Sequence, residues 1–101
     1  MEYRFEWDPR KAGLNWSKHG VRFEQAATVF RDPRALSLFD EAHSAKEDRW
    51  ITLGISATGT PLVVHHTFDQ TDSETFQIRI ISSRKATRRE IRQHKGLGHE
   101  E

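Results

Sequence analysis

Apolar and polar residues alternate along several stretches of this chain, and such alternation is typical of strands that bury one face. At the beginning, Tyr3, Phe5 and Trp7 are separated by charged residues. Near the other end, Phe76 begins a run in which apolar residues occupy every other position. We therefore predict five strands, at residues 3–7, 35–39, 49–55 and 62–68 and from Phe76 onward.

The first predicted helix has a signal at each end. Asp8 followed by Pro9 favours a helix start, because an aspartate caps free amides and proline fits the first turn. Gly20 is expected to end the helix in the left-handed conformation. Two apolar residues of this helix, Ala12 and Trp16, lie four positions apart.

Two more helices are predicted further along the chain. A stripe of apolar residues indicates a helix over residues 22–31, although Arg22 offers it no capping side chain. Thr87 and Glu90 have the spacing of a capping box, in which the hydroxyl and the carboxylate each bind the other residue's amide. This box predicts a third helix that runs to about Lys95.

The order of these elements predicts an α+β domain. We expect a small antiparallel or mixed β-sheet, two N-terminal helices and a C-terminal helix. A chain of 101 residues suits one modest core, so residues 1–95 are expected to form a single domain. Residues 96–101 are expected to be a flexible tail.

Charge is unevenly distributed although the net charge is only +1. Residues 79–95 contain seven basic residues and one acidic residue, whereas the rest of the chain contains nine basic and fourteen acidic residues. A strand that leads through a cationic corner into a helix N-terminus is suited to bind anions. The alternative is a solvated helix whose arginines only keep the protein soluble.

Several classes of function are excluded by composition. The chain has no cysteine, so disulfides and thiolate metal sites are ruled out. Its six histidines lack the spacing of a metal site, and we predict no metal and no cofactor. Without a signal peptide or an apolar run of membrane-spanning length, the protein is expected to be cytoplasmic.

Several ordered segments resemble the BrnT family of toxins, over about residues 3 to 93. The segments are Phe5-Glu6-Trp7-Asp8, Lys18-His19-Gly20-Val21, Phe23-Glu24-Gln25-Ala26-Ala27, Val29-Phe30, Asp32-Pro33, His66-Thr67 and Ile80-Ile81-Ser82-Ser83-Arg84-Lys85-Ala86-Thr87. One departure is Arg22, where relatives often carry a serine or threonine that caps the second helix.

The resemblance implies a type II toxin with a RelE-like fold that cleaves RNA and arrests translation. It also implies neutralisation by a BrnA antitoxin, a ribbon-helix-helix protein that binds operator DNA in the complex. Two alternatives stay open from the residues themselves. One is a non-catalytic nucleic-acid-binding module, and the other is a RelE-fold toxin with a protein target, as in the ParE branch.

Three residues are predicted to act on the scissile phosphate. Arg79 and Arg84 suit this task, because a guanidinium donates two parallel hydrogen bonds to phosphate oxygens. His65 and His66 project to opposite faces of their strand, so only one reaches a given site. The family pattern selects His66 as the catalytic histidine, with a buried structural histidine as the alternative. Arg79 has its own alternative, a strand arginine paired with a carboxylate.

Further basic residues are predicted to position the RNA. Lys85, Arg88 and Arg89 continue the cationic corner and suit contacts to phosphates, which add affinity without reading sequence. Lys18 and His19 belong to the family pattern and are included as RNA-binding candidates. The structural alternative is that both residues simply end a helix, where the helix dipole stabilises cations.

Overall fold

A computed structural model describes residues 1–96 of the chain, and its helices are α1 (Pro9–His19), α2 (Phe23–Ala27) and α3 (Arg88–Gly96). The strands are β1 (Glu2–Glu6), β2 (Leu36–Phe39), β3 (Trp50–Ile55), β4 (Pro61–His66), β5 (Asp69–Gln70) and β6 (Thr75–Lys85). Of the predicted tail, Gly96 ends α3, and residues 97–101 lie outside the described residues. Within residues 1–96, no helix is long and apolar enough to cross a membrane.

The predicted α+β class with a mixed sheet is confirmed. The strand order is β1-β6-β4-β3-β2, with β5 attached to β6. β1 is parallel to β6, and the remaining pairs are antiparallel. The sequence analysis missed β5, which lies in the polar connection before β6 and pairs through Asp69 and Gln70. A strand of two polar residues has no hydrophobic alternation from which to predict it.

The ends of α1 are confirmed. The Asp8 carboxylate accepts a hydrogen bond of 2.8 Å from the Arg10 amide. Gly20 has a φ of 66° and donates its amide to the Trp16 carbonyl at 2.9 Å. Local side chains and a glycine therefore set both ends of this helix, as its sequence predicts.

The second helix is shorter than predicted. α2 ends at Ala27, and a 3-10 turn, Thr28–Arg31, continues the chain. The Thr28 hydroxyl donates to the Gln25 carbonyl at 2.7 Å and accepts from the Ala57 amide at 2.8 Å. This local bonding competes with a regular helix and fixes the tighter turn. At the other end of α2, Arg22 makes no capping hydrogen bond.

The core lies between the first two helices, α1 and α2, and one side of the sheet, which we call the helix side. Its fully buried members are Val21, Phe23, Ala26, Val29, Leu62, Val64, Ile78 and Ile80. Trp16 is not among them: this residue is 47% exposed, and the Arg22 guanidinium lies 4.2 Å from the centroid of its ring. The residue of α1 that is buried is Asn15, which no apolar pattern could indicate.

Two sets of polar contacts fix α3. The capping box is confirmed: the Glu90 amide donates to the Thr87 hydroxyl at 3.2 Å, and the Thr87 amide to the Glu90 carboxylate at 2.8 Å. In the last turn, the buried His94 ring bonds Asp32 at 2.9 Å. Burial raises the pKa of Asp32, but hydrogen bonds from the Ile55 and Arg34 amides and from His94 outweigh it and hold this pKa below its ordinary value.

Candidate active site

A β-bulge in β6 brings the two predicted catalytic arginines to the same side of the sheet. Along β4, His66 pairs with Ile80 but His65 pairs with Ser82, so Ile81 is an extra residue in β6. The extra residue reverses the alternation, and Ser83 instead of Arg84 is buried on the helix side. Arg79 and Arg84 therefore share the opposite side, which we call the arginine side.

Asn15 secures the free edge of β6 beside the bulge. Its side-chain amide donates to the Ser83 carbonyl at 2.9 Å, and its side-chain oxygen accepts from the Ser83 amide at 3.0 Å. Thus α1 supplies the hydrogen bonds that a further strand would make. Lys18 and His19 end this helix and border a cavity with Ile81 and Ser82, which places these RNA-binding candidates next to the bulge.

Arg84 is held by Glu90, the acidic member of the capping box. The two guanidinium nitrogens each donate to one carboxylate oxygen at 2.9 Å. This bidentate pair, followed by the Thr87 amide, outweighs burial and lowers the pKa of Glu90 to about 2. The carboxylate occupies the guanidinium fork that a phosphate would use, so Glu90 fixes the orientation of Arg84.

Arg79 is likewise paired with a carboxylate. Its guanidinium donates to Glu47, which also accepts a hydrogen bond of 2.9 Å from Arg49. Hydrogen bonds from Arg79 and then Arg49 hold the pKa of Glu47 below its ordinary value. This pairing is the structural alternative described above for Arg79, and it adds Arg49, which the sequence analysis did not select, to the arginine side.

The structure does not bring His66 together with the arginines. His66 is 2% exposed on the helix side, where its ring packs edge-on against Phe30 with centroids 4.8 Å apart. Its Nδ1 lies 2.9 Å from the Thr67 carbonyl and its Nε2 lies 2.7 Å from the Thr52 hydroxyl. Burial lowers the pKa of His66 to about 4. A neutral, fully bonded ring fits the alternative of a buried structural histidine.

His65 is the histidine on the arginine side. It pairs with Ser82, two positions from the pair of Val63 with Arg84, and is half-buried. Burial, followed by the charge of Arg84, lowers the pKa of His65 below its ordinary value. Strand alternation had left His65 as the other candidate, but only the bulge decides that its side is also the side of Arg84.

His65 borders a pocket of about 260 Å³ that contains a second histidine, His43. The Nδ1 atom of His43 lies 2.9 Å from the Asp40 carboxylate. Asp40 and Arg49 complete the polar wall of this pocket. His43 and Asp40 were missed because they lie in a polar loop with no recognisable motif. Within residues 1–96, no three histidine or acidic side chains converge as a metal site would require.

The remaining RNA-binding candidates are accessible. Lys85 ends β6, and Arg88 and Arg89 lie in the first turn of α3; all three side chains are exposed. Arg88 and Arg89 follow Arg84 closely in the chain, whereas Lys85 pairs with Leu62 and by strand alternation projects to the helix side. The exposed residues therefore suit contact with a polyanion, whereas Arg79 and Arg84 are already paired with carboxylates.

Comparison with known proteins agrees with this architecture. No curated protein matches the sequence significantly. The chain is similar in fold to the Brucella abortus ribonuclease toxin BrnT, known from a crystal structure, with 24% sequence identity and a TM-score of 0.55; the match covers 87% of this chain and 99% of that one. The family model described as "Ribonuclease toxin, BrnT, of type II toxin-antitoxin system" matches residues 7–90. The chain therefore belongs to the BrnT family of ribonuclease toxins of type II toxin–antitoxin systems.

Proposed function

We propose that this protein is a metal-independent endoribonuclease whose active site is the arginine side of the sheet. The observation that carries the proposal is that Arg79, Arg84 and His65 lie on one side of the sheet, where His65 and His43 line the same pocket. Arginines that bind phosphate and histidines that exchange protons near neutral pH are the groups that RNA cleavage requires.

The proposed reaction begins with attack of the ribose 2′-oxygen on the adjacent phosphorus. His65, uncharged at neutral pH because its pKa is lowered, accepts the 2′-hydroxyl proton. The bond from phosphorus to the 5′-oxygen breaks, and His43, held by Asp40, acts as the general acid that gives that oxygen a proton. The products are a 2′,3′-cyclic phosphate and a 5′-hydroxyl.

Arg79 and Arg84 are proposed to stabilise the charge that develops on the non-bridging phosphate oxygens. The entering phosphate would take the places of Glu47 and Glu90 in the two guanidinium forks. Lys85, Arg88 and Arg89, with Lys18 and His19 as weaker contributors, would hold the neighbouring phosphates. His66 is not included in this mechanism, since its ring is buried on the other side.

In the cell, the protein is proposed to act in the cytoplasm, where RNA cleavage inhibits translation. Its proposed partner is a BrnA-type ribbon-helix-helix antitoxin that carries the complex to operator DNA. On the arginine side, an apolar groove of about 540 Å³ suits an amphipathic segment of such a partner. The groove is lined mainly by Leu36, Leu38, Ile51, Leu53 and Val63, and Leu38 is 68% exposed.

The decisive experiment is a cleavage assay with purified protein and naked RNA in excess chelator. Wild type is compared with Arg79→Ala/Arg84→Ala and with His65→Gln, and the fragment ends are analysed for cyclic phosphate. A matched control, Arg31→Ala/Arg34→Ala, removes two exposed arginines next to α2. We expect the control to cleave like wild type and the arginine-side variants to lose activity by at least about a hundredfold.

Full cleavage by Arg79→Ala/Arg84→Ala would overturn the proposed site, and loss of wild-type activity in chelator would overturn metal independence. If wild type leaves naked RNA intact, the same variants are tested in a translation reaction with ribosomes. Inhibition by wild type and by the control, but not by the arginine-side variants, would then support a ribosome-dependent nuclease.

A further inference from the structure

An aromatic cavity of about 310 Å³ on the helix side is not used by the proposed reaction. Its aromatic walls are Tyr3, Phe30, Trp50 and Phe68, and its polar wall is Asp32, Ser37, Thr52 and His66. The cavity lies back to back with the pocket of the arginine side, because His65 and His66 are consecutive, as are Arg49 and Trp50.

A chain of hydrogen bonds crosses the polar wall, and its direction can be deduced. The Thr67 carbonyl only accepts, so Nδ1 of the neutral His66 ring carries the proton and donates to it at 2.9 Å. Nε2 must then accept from the Thr52 hydroxyl at 2.7 Å. With its proton committed to His66, Thr52 accepts from the Ser37 hydroxyl at 2.7 Å.

Ser37 is the exposed end of this chain. Because its proton points to Thr52, its oxygen offers only lone pairs to the cavity. The Asp32 carboxylate at this wall already accepts from the Arg34 and Ile55 amides and from His94, and it likewise presents no donor. The polar wall of the cavity is therefore acceptor-rich, and a complementary ligand must present N–H or O–H donors.

The aromatic walls add a second requirement. Tyr3 meets Phe30 and Phe68 edge-on, with ring centroids 6.2 Å and 6.4 Å apart. Tyr3 is still 38% exposed, so one wall of the cavity can be reached from solvent. A planar ring with donors on one edge satisfies both walls, and an unstacked nucleobase is such a ring.

We propose that the aromatic cavity binds one base of the RNA substrate and prefers a base whose edge carries an amino group, guanine above all. The Watson–Crick edge of guanine presents two adjacent N–H donors, and adenine and cytosine each carry one amino group. Uracil presents one donor between two carbonyl oxygens, which would face the acceptors of Ser37 and Asp32. This inference rests on the proposed RNA-cleaving function and adds a sequence preference to it.

The test is equilibrium binding of a short all-uridine RNA and of three versions with one central guanosine, adenosine or cytidine. All four probes have the same phosphate count, so the arginine side contributes equally to each. We expect wild type to bind the guanosine probe about tenfold more tightly than the all-uridine probe.

Two substitutions test whether the hydrogen-bonded hydroxyls of Ser37 and Thr52 determine the preference for guanosine. In Thr52→Val, which is similar in shape, Ser37 has no partner to hold its proton and can also donate, so uracil becomes acceptable. In Ser37→Ala the acceptor itself is lost. Both variants are expected to reduce the preference for guanosine to about twofold or less while retaining affinity for the uridine probe. Ser17→Ala, an exposed serine on α1, is the matched control.

The outcomes separate this inference from the proposed function. Equal binding of all four probes by a wild type that cleaves RNA would overturn the base site alone, as would a preference that survives in both folded variants. Arg79→Ala/Arg84→Ala should weaken all four probes together and keep their ratio. If wild type binds none of the four probes, the base site fails, and the translation reaction with ribosomes decides the proposed nuclease activity separately. Thermal unfolding of each variant verifies that it is folded.

Discussion

The two sides of the sheet place the same residue type in opposite environments within one dipeptide. On the helix side, His66 is buried and its pKa lies at about 4, with burial as the main cause. On the arginine side, His65 is half-buried and its pKa is lowered by burial and by Arg84. His66 makes two hydrogen bonds within the protein, whereas His65 makes none among the described residues. Strand alternation thus places a structural histidine on one side of the sheet and a histidine that is accessible to a ligand on the other side.

The two sides of the sheet also differ in the charge of their polar side chains. The polar chain of the helix side is built from two hydroxyls and a neutral ring and carries no formal charge. The arginine side carries ion pairs, in which Glu47 and Glu90 neutralise Arg79 and Arg84. The arginines are therefore held in place by carboxylates, which the phosphate of the proposed mechanism would have to displace.

The largest effect is expected from exchanging the two histidines for alanine. His66→Ala should lower the free energy of unfolding by about 3 kcal/mol, because it leaves a cavity and an unpaired Thr52 hydroxyl. His65→Ala should lower it by less than about 1 kcal/mol and abolish RNA cleavage. Urea denaturation measures both variants. Equal destabilisation by the two substitutions would show that the sides do not differ in the way described.

The next largest effect concerns acid stability through Glu90. Its folded-state pKa of about 2 lies below the ordinary 4.5, so its contribution is present above about pH 4.5 and is lost as the pH falls toward 2. Allowing for partial exposure, this contribution is about 2 kcal/mol. Urea denaturation at pH 7 and pH 3 should show a steeper loss for wild type than for Glu90→Gln. Parallel losses would indicate that the pair with Arg84 stabilises little.

The exposed arginines in the first turn of α3 are expected to contribute to RNA affinity. Arg88→Ala/Arg89→Ala is expected to weaken RNA binding about tenfold at low salt and to reduce the salt dependence by about two phosphate contacts. Filter binding over a range of salt concentrations measures both quantities, with Arg31→Ala/Arg34→Ala as the control of equal charge. An unchanged slope would mean that RNA does not follow α3.

The smallest effect is expected at the end of α1. Lys18→Ala/His19→Ala removes two side chains that interact favourably with the helix dipole. The free energy of unfolding should therefore fall by about 0.5 kcal/mol. RNA affinity should change by less than about threefold, since one lysine supplies at most one phosphate contact. A tenfold loss of RNA affinity in the same filter-binding assay would show that these residues are a main part of the proposed RNA-binding site.

Local signals were sufficient where neighbours in sequence set the structure. Asp8, Gly20 and the capping box of Thr87 and Glu90 mark helix ends through hydrogen bonds within a few residues, and the structure has all of them. The burial of Asn15 was not predictable, because its partner Ser83 is 68 residues away. The same holds for the bond between His94 and Asp32, which spans 62 residues.

The sequence by itself determined the α+β class, both ends of α1, the start of α3, the cationic segment and the family to which the chain belongs. Only the tertiary structure decided that Arg79, Arg84 and His65 share one side of the sheet, since that depends on one extra residue in β6. Alternation has a period of two, so a single bulge reverses every position after it. A bulge forms through pairing with another strand, and the residues of β6 alone carry no sign of it.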